Sequence, residues 1–337
     1  MGLFSFFSKW SNDLAIDLGT ANTLIYVKGD GIVINEPSVI AINKKTGEVL
    51  AVGNEAKQML GRNSGSLEVV RPLKDGKISD AKKTEDMLRY FIRLAHRKRM
   101  LIQPRIIISV PTGITDAERQ IVESAGRTAG AREVYLVEEP LAAAVGAGLP
   151  ISEAGGNMIV DIGGGTTEVG LISLSETVAS YSGVVGGDKM NEAIMQYIKT
   201  NKNLQIGENR AEQIKIELGT AIKTEEIREA EIKGYDTVER LPKTITINSD
   251  EIMIALQKTV NEIIDSIIKV LDEAPPELAG DIAERGIVLT GGGSLLRGLD
   301  KVIREKTRVP VSTADNPLFS VVEGAGLMLE EIHKYKI

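Results

Sequence analysis

Two stretches of this chain read alike. Ala15-Ile-Asp17-Leu-Gly19-Thr-Ala-Asn-Thr23-Leu-Ile and Val160-Asp161-Ile-Gly163-Gly-Gly-Thr166-Thr167-Glu-Val both run strand, Asp, apolar residue, Gly, small residues, Thr, strand. A second pair, Ala144-Val-Gly146-Ala-Gly148 and Val322-Glu-Gly324-Ala-Gly326, falls in each case inside a helical pattern. Repetition on this scale constrains the fold more than any local propensity, because each copy is a structural unit that must bury its apolar face in the same way. The inference is a duplicated lobe with a cleft between the copies. Small residues on both helical segments would let the two backbones approach closely, as at a hinge.

Each Asp-x-Gly turn joins two strands of a hairpin. Its glycines let backbone N–H groups point into the cleft and form an anion nest. Two such turns face to face would grip a polyphosphate from both sides, with Asp17 and Asp161 near a hydrated Mg²⁺. A third glycine loop, Thr290-Gly291-Gly292-Gly293-Ser294, follows a buried strand and is expected to lead into a short helix, Leu295–Leu299, whose N-terminus adds to a flat backbone surface. Taken singly, each loop also reads as an ordinary tight β-turn. Neither G-x-x-x-x-G-K-[ST] nor G-x-G-x-x-G occurs, so P-loop and Rossmann sites are excluded.

Composition narrows the chemistry. A chain of 337 residues suggests two lobes, each with its own core. With 40 Lys+Arg against 47 Asp+Glu, the net charge of −7 argues against a nucleic-acid binder driven by phosphate neutralisation. There is no Cys, which removes disulfides, thiolate zinc sites and Cys nucleophiles, and His96 and His333 are too few for a histidine metal site or a Ser/His/Asp triad. No run reaches ~18 uninterrupted apolar residues, so nothing in the sequence reads as a membrane span. Chemistry here must run on carboxylates, hydroxyls, lysines and glycine loops, with room for a Mg²⁺ among the carboxylates.

Along the chain, short β-branched runs and helical patterns alternate. Leu14–Ile16, Thr23–Val27, Ile32–Ile34 and Val39–Ile42 read as strands, then Thr84–Lys98 as a helix, Arg105–Val110 as a buried strand and Asp116–Ala129 as a helix stopped by Gly130. Val134–Val137 is a strand, and Pro140 opens a small-residue helix through Gly146. The pattern restarts at Met158–Val160 and Val169–Leu174, with helices at Lys189–Thr200 and Ala211–Leu218 and two strands ending near Asn248. Asp250–Leu271 is a long amphipathic helix stopped by Pro275-Pro276, Ile287–Leu289 is a strand, and the last helix runs from Phe319 to His333. The class is α/β in two halves.

The spacing of all three glycine loops resembles the actin-like ATPase superfamily. Within it, four segments look like those of the bacterial actins: Asp17 to Thr23, Glu138-Glu-Pro-Leu-Ala-Ala-Ala144, Asp161 to Glu168, and Leu289-Thr-Gly-Gly-Gly-Ser-Leu-Leu-Arg-Gly-Leu299. The resemblance covers the chain from about residue 12 onward. It implies an actin-like fold of two duplicated lobes around a nucleotide cleft: lobe I from 13–144 plus 318–337, and lobe II from 145–317. It also implies Mg-ATP as the ligand. Asp17, Gly19, Thr20, Ala21 and Asn22 match the first phosphate loop; Gly163, Gly164, Gly165, Thr166 and Thr167 match the second. Asp17 and Asp161 would hold the metal through water. Glu139 matches the water-polarising residue and Thr166 its partner, although by sequence alone Glu138 serves equally and either could be a plain acid at a helix N-terminus. Glu212 and Lys215 match a ribose-holding pair, against the alternative of a solvated i,i+3 ion pair. Gly291, Gly292, Gly293 and Ser294 match the adenine-side loop.

The first ten residues hold three of the five Phe and the only Trp. At helical spacing Leu3, Phe4, Phe6, Phe7 and Trp10 share an arc of about 160°. Residues 1–12 therefore read as an amphipathic membrane-binding segment, the alternative being a terminus docked on the protein's own core. A ten-residue helix is marginal alone, so attachment calls for many copies side by side. Leu101 and Ile102, after the basic run Arg97-Lys98-Arg99, occupy the position where the family inserts an apolar pair into the membrane, the alternative being a helix end with cations at its C-terminus and an apolar strand start. The resemblance thus implies a slow ATPase that polymerises into paired protofilaments on the inner, cytoplasmic face of the cell membrane. Its partners would be membrane proteins of the elongation machinery, and its role to organise cell-wall synthesis and rod shape. A sugar or acetate kinase would need a pocket-forming insertion, and a chaperone ATPase a peptide-binding domain beyond the final helix; the sequence supplies neither.

Overall fold

The computed structural model describes residues 13–61, 65–95 and 103–335. The first half opens with Leu14–Leu18 (β1), Asn22–Val27 (β2) and Gly31–Pro37 (β3). A small sheet follows, of Ile40–Asn43 (β4), Val49–Val52 (β5) and, after the short helix Asn54–Gln58 (α1), Leu67–Val70 (β6). The tight hairpin Leu73–Lys74 (β7) and Lys77–Ile78 (β8) leads to helix Ala81–Ala95 (α2), strand Arg105–Val110 (β9), helix Asp116–Thr128 (α3), strand Glu133–Glu138 (β10) and helix Glu139–Gly146 (α4).

The second half repeats the opening with Asn157–Ile162 (β11), Thr167–Ser173 (β12) and Glu176–Gly183 (β13). Helix Gly187–Lys202 (α5), strand Leu204–Gln205 (β14), helix Glu208–Leu218 (α6), and strands Glu229–Asp236 (β15) and Pro242–Asn248 (β16) come next. Helices Ser249–Glu273 (α7) and Pro276–Arg285 (α8) precede Ile287–Thr290 (β17), a 3-10 turn at Gly292–Leu295, helix Leu299–Thr307 (α9), strand Val311–Thr313 (β18) and helix Ser320–Glu330 (α10).

The repeat in the sequence is a repeat in space. One five-stranded sheet runs β10-β9-β1-β2-β3, the other β18-β17-β11-β12-β13. In each, the Asp-bearing strand is antiparallel to its hairpin partner on one side and parallel to a later strand on the other. Even the register repeats: Asp17 stands opposite Ser109 on β9, and Asp161 opposite Thr290 on β17. The central strands are buried on both faces, β11 and β12 along their whole length, as parallel and covered strands are. Each sheet has its own apolar core, one around Ile16, Ile106 and Phe91, the other around Val160, Ile263 and Leu289.

Between the sheets lies a third apolar layer built from α4 and α10. Ala142, Ala143 and Ala144 of α4 and Val321, Ala325 and Met328 of α10 meet Ala15 and Ile107 from one sheet and Ile159 and Ile172 from the other. The glycines set the approach. A Cβ on Gly146 would overlap the carbonyl oxygen of Ser320, and one on Gly324 the carbonyl oxygen of Ala142. No residue but glycine lets these backbones meet.

Capping explains where several helices begin. Thr115 and Glu118 form a reciprocal capping box on α3, as Asn248 and Glu251 do on α7. The structure also differs from the sequence reading. The helix expected at Leu295–Leu299 is instead a 3-10 turn ending at Leu295, with α9 starting at Leu299, because Gly298 at φ +74° breaks the path. Pro276 does more than end α7: as the first residue of α8 it loses no helical hydrogen bond and starts a helix the pattern had hidden. Helix α2 begins at Ala81, a turn before Thr84, whose hydroxyl donates back to the Asp80 carbonyl at 2.8 Å. Its far end, the basic run 97–99, Leu101 and Ile102, and the segment carrying Leu3, Phe4, Phe6, Phe7 and Trp10 lie outside the described residues. Among those described, no helix is long and apolar enough to cross a membrane.

Candidate functional site

The two hairpin turns converge on one cavity of about 580 Å³ between the sheets, within the range of small-ligand sites. From the first turn, Asp17, Gly19, Thr20, Ala21 and Asn22 line it; from the second, Asp161, Gly163, Gly164, Gly165 and Thr166. A Cβ on Gly19 would lie 2.6 Å from the Asn22 carbonyl oxygen, so the turn closes only with glycine there. Ser38 fixes the turn from behind, donating to the Gly19 carbonyl at 2.6 Å while sharing a hydrogen bond with Thr23. The second turn is braced by α5: the N–H groups of Gly187 and Asp188 donate to the carbonyls of Gly163 and Gly164 at 3.0 and 2.8 Å. The turns touch. A Cβ on Gly165 would stand 2.8 Å from the Thr20 hydroxyl, and one on Gly164 would strike the Ala21 methyl.

Four carboxylates gather at the floor. Asp17, at the end of β1, accepts from the Ser109 hydroxyl at 3.1 Å; burial nevertheless pushes its pKa up to about 6. Asp161, 7% exposed, is pushed up to about 8 by burial and then by the charges of Asp17 and Glu168. Its Oδ1 is buried with no hydrogen-bond partner. Glu139, the first residue of α4, lines the cavity; burial, then Glu168, Asp17 and Asp161, hold its pKa well above the usual range. Glu138, its rival by sequence, turns away and accepts from the Thr177 hydroxyl at 3.2 Å. The fourth, Glu168, closes the second motif and was not anticipated. It sits opposite Asp161 in the ladder, accepts from the Ser182 hydroxyl at 2.6 Å and the Thr112 N–H at 3.2 Å, and is raised by burial despite those bonds.

Such a cluster is costly without a compensating cation. Among the described residues no three acidic or histidine side chains come together closely enough to ligate a metal directly. The orphaned Asp161 oxygen and the half-buried Asp17 fit a hydrated divalent cation held through its water shell.

The third glycine loop packs against the floor of the second. A Cβ on Gly291, at φ +78°, would collide with the Asp161 carboxylate and lie 2.7 Å from the Ile162 carbonyl carbon. Gly291, Gly292 and Gly293 line the cavity. Ser294 does not: its hydroxyl donates to the Gly291 carbonyl at 2.7 Å, holding the loop rather than facing a ligand. Thr167 is likewise turned inward, donating to the Val185 carbonyl at 2.7 Å from the first position of β12. Glu212 and Lys215 both line the cavity from α6 but do not pair with each other. Lys215 donates to the Gly187 carbonyl at 3.0 Å, and burial lowers its pKa; Glu212 meets Lys57, from the other half of the chain, at 2.9 Å. Ile216, Leu295, Leu318 and Phe319 add apolar surface, with Arg228 and Arg297 nearby, none of which the sequence reading had singled out.

The repeated sheets, the helix pair between them and the cleft with two facing glycine turns define an actin-like protein. The chain belongs to the MreB/Mbl protein family, whose sequence profile matches residues 11–337. It is 52% identical over 335 residues to the cell shape-determining protein MreB of Escherichia coli K12, covering 98% of this chain and 96% of that one. Among solved structures, MreB5 of Spiroplasma citri bound to ADP superposes with TM-score 0.89 at 38% identity, over 95% of this chain and 97% of that one; its AMPPNP-bound form also gives 0.89, over 95% and 96%. The MamK double helical filament, at 24% identity and TM-score 0.79 over 95% of this chain and 99% of that one, shares the fold.

Proposed function

We propose that this protein binds and hydrolyses ATP and assembles into membrane-associated filaments that maintain rod cell shape by organising cell-wall synthesis. The observation that carries the reading is the pair of facing glycine turns, with Asp17 and Asp161 beneath them in identical registers of the two sheets. Nucleotide-bound and cell-shape-determining relatives support it. So do the two glycine turns lining the cavity, whose backbone N–H groups would suit phosphate oxygens, and the apolar surface beside Gly291–Gly293, which suits a base. Glu212 and Lys215, which line the same cavity, would hold the ribose.

Mg²⁺, held through water by Asp17 and Asp161, would supply neutralisation of the phosphate oxygens. Transfer of a phosphoryl group to water needs mainly positioning, because the transition state is loose. Glu139, fixed at the head of α4 with Thr166 on the facing turn, is the side chain that orients the water. Thr167 and Ser294 shape their loops. Lobe I would comprise 13–144 with 318–337, and lobe II 145–317. The aromatic face of residues 1–10, with Leu101 and Ile102, would seat the filament on the inner membrane surface, where proteins of the elongation machinery are its partners.

The test couples three readouts. Calorimetry with Mg²⁺ and ATP should give binding at one site per chain, and sedimentation with ATP should pellet the protein. Glu139→Gln should keep binding within a few-fold and slow single-turnover hydrolysis about 10²-fold or more. Unchanged single-turnover hydrolysis would remove Glu139 from the role, and no Mg-dependent nucleotide uptake would end the reading.

A further inference from the structure

Three ion pairs between described residues join the two halves of the molecule, and all three stand at the mouth of the cleft. From the first half, Lys57 of α1 meets Glu212 of α6 at 2.9 Å. Arg71, just after β6, reaches two carboxylates on different helices: Glu208 at the start of α6 at 2.7 Å, and Asp188 at the start of α5 at 3.7 Å. The side chains are half-buried, between 21% and 44% exposed.

The placement is asymmetric. Asp188 and Glu208 occupy the first turns of their helices, where the macrodipole favours an acid, so the second half presents a preorganised negative rim. Both cations come from the first half. Burial raises Asp188 against the pull of Arg71, whereas at Glu212 burial is outweighed by Lys57, Lys215 and Arg71 together, which hold it below its usual range. Inward from Arg71 the chain continues into the β7–β8 hairpin. Its tip, Gly76, donates from its N–H to the Thr20 hydroxyl at 3.2 Å and leaves no room for a Cβ beside the Thr166 methyl. Residues 71–76 thus form a strap, ion-paired at its outer end and packed across both glycine turns at its inner end.

We propose that Lys57 and Arg71, paired with Glu212, Glu208 and Asp188, form an ionic latch across the cleft mouth that sets the rate at which a bound nucleotide leaves. The latch rests on the nucleotide reading of the cleft only for the identity of what it retains. Glu212 belongs to both parts, lining the cavity while holding Lys57, so occupancy near the sugar position and closure of the mouth act on the same carboxylate. Half-exposed pairs are screened by salt, whose Debye length falls from about 10 Å at 0.1 M to about 3 Å at 1 M. The latch therefore loosens with ionic strength, while the backbone contacts of the glycine turns do not.

Arg71 and Glu208 do not line the cavity, so their charges can be exchanged without touching it. Release of a fluorescent ATP analogue with Mg²⁺ is followed by stopped-flow chase for wild type, R71E, E208R and R71E/E208R. R71E loses two pairs and gains repulsion, and should speed release about tenfold; the double exchange should recover most of that, and added salt should speed wild type but not R71E. In parallel, the chain's lack of cysteine permits dyes on K45C, in the β4–β5 turn, and K233C, on β15, one in each half, to report the mouth by energy transfer in dilute nucleotide-free protein. R71E should lengthen that distance. Release from R71E as slow as from wild type overturns the latch. If wild type retains no labelled nucleotide, the nucleotide reading fails by itself and the distance decides: an unchanged distance in R71E overturns the latch.

Discussion

Replacing Gly146 by alanine should destabilise the protein, against the ordinary rule. Inside a helix, alanine is better than glycine by about 1 kcal/mol. At Gly146, however, the added Cβ would overlap the Ser320 carbonyl oxygen and lie 2.7 Å from its carbon and 2.9 Å from the Gly324 nitrogen. Ordinary contact begins at 3.4 Å, so clearing the Ser320 carbon alone asks α4 and α10 to part by 0.7 Å, and clearing its oxygen asks for more. A gap of 0.5–1 Å forfeits about a quarter to a half of each dispersion contact, and the contacts in question are those of Ala142, Ala143, Val321 and Ala325 in the layer between the sheets. The obstacle is helical backbone, which cannot rotate aside, so the cost belongs at the upper end of the ~1–3 kcal/mol typical of overpacking. Subtracting the propensity gain leaves a net loss of roughly 2 kcal/mol. Gly280 is the control: it lies within α8 with nothing inside 4 Å of the position its Cβ would take, so Gly280→Ala should stabilise by up to ~1 kcal/mol. Urea denaturation of the two variants beside wild type measures both. A Gly146→Ala protein that gains stability as Gly280→Ala does would refute the close-crossing argument.

Three further outcomes are expected. Asp17 at about 6 and Asp161 at about 8 hold protons in the folded state that the unfolded chain releases near 3.8. Their contribution is complete below pH 4 and is lost as pH rises, finally through 8, at up to ~1.4 kcal/mol per pH unit for each group. Ligand-free protein should therefore lose stability between pH 6 and 8, and Asp161→Asn should flatten that slope; identical slopes for the two proteins would refute the assignment. Gly76→Ala forces a side chain onto φ +72° and against Thr166, so it should disturb the strap and raise nucleotide release, read by the same chase; release as slow as wild type would argue that the strap does not reach the turns. Deleting residues 1–10 should abolish co-sedimentation with anionic vesicles while sparing filament pelleting; full vesicle binding by the truncated chain would move the attachment to Leu101 and Ile102 or elsewhere.

The parts of the site legible in the sequence are those whose geometry is local. A hairpin turn needs its glycines within a few residues of its Asp, so Asp17, Gly19, Asp161 and Gly163–Thr166 announce themselves as motifs. Orientation is less legible: Thr167 and Ser294 belong to the same motifs, yet one hydrogen bond each turns them toward the backbone. The mouth was not legible at all. Lys57 and Glu212 stand 155 residues apart, and nothing in an isolated Lys on a five-residue helix marks it as a bridge. Val39–Ile42 was legible as β4, but its partners β5 and β6 and helix α8 were missed for a related reason, since short elements held by tertiary packing leave weak periodic signals and a proline read as a stop also served as a start.

One helix carries two duties at its two ends. Glu139 heads α4 inside the cavity, and Gly146 closes it at the tightest point of the crossing with α10, roughly 10 Å away at 1.5 Å per residue. α10 packs on β1, β2 and β9, while α4 packs chiefly on β11 and β12 and more lightly on β9 and β10, so a swing of one half against the other would turn about this junction. A group mounted beside a fulcrum travels little, whereas the rims bearing Arg71 and Glu208 sit out on the lever arms. Opening and shutting the molecule would thus move its gate widely while leaving the water-orienting carboxylate almost where it stands.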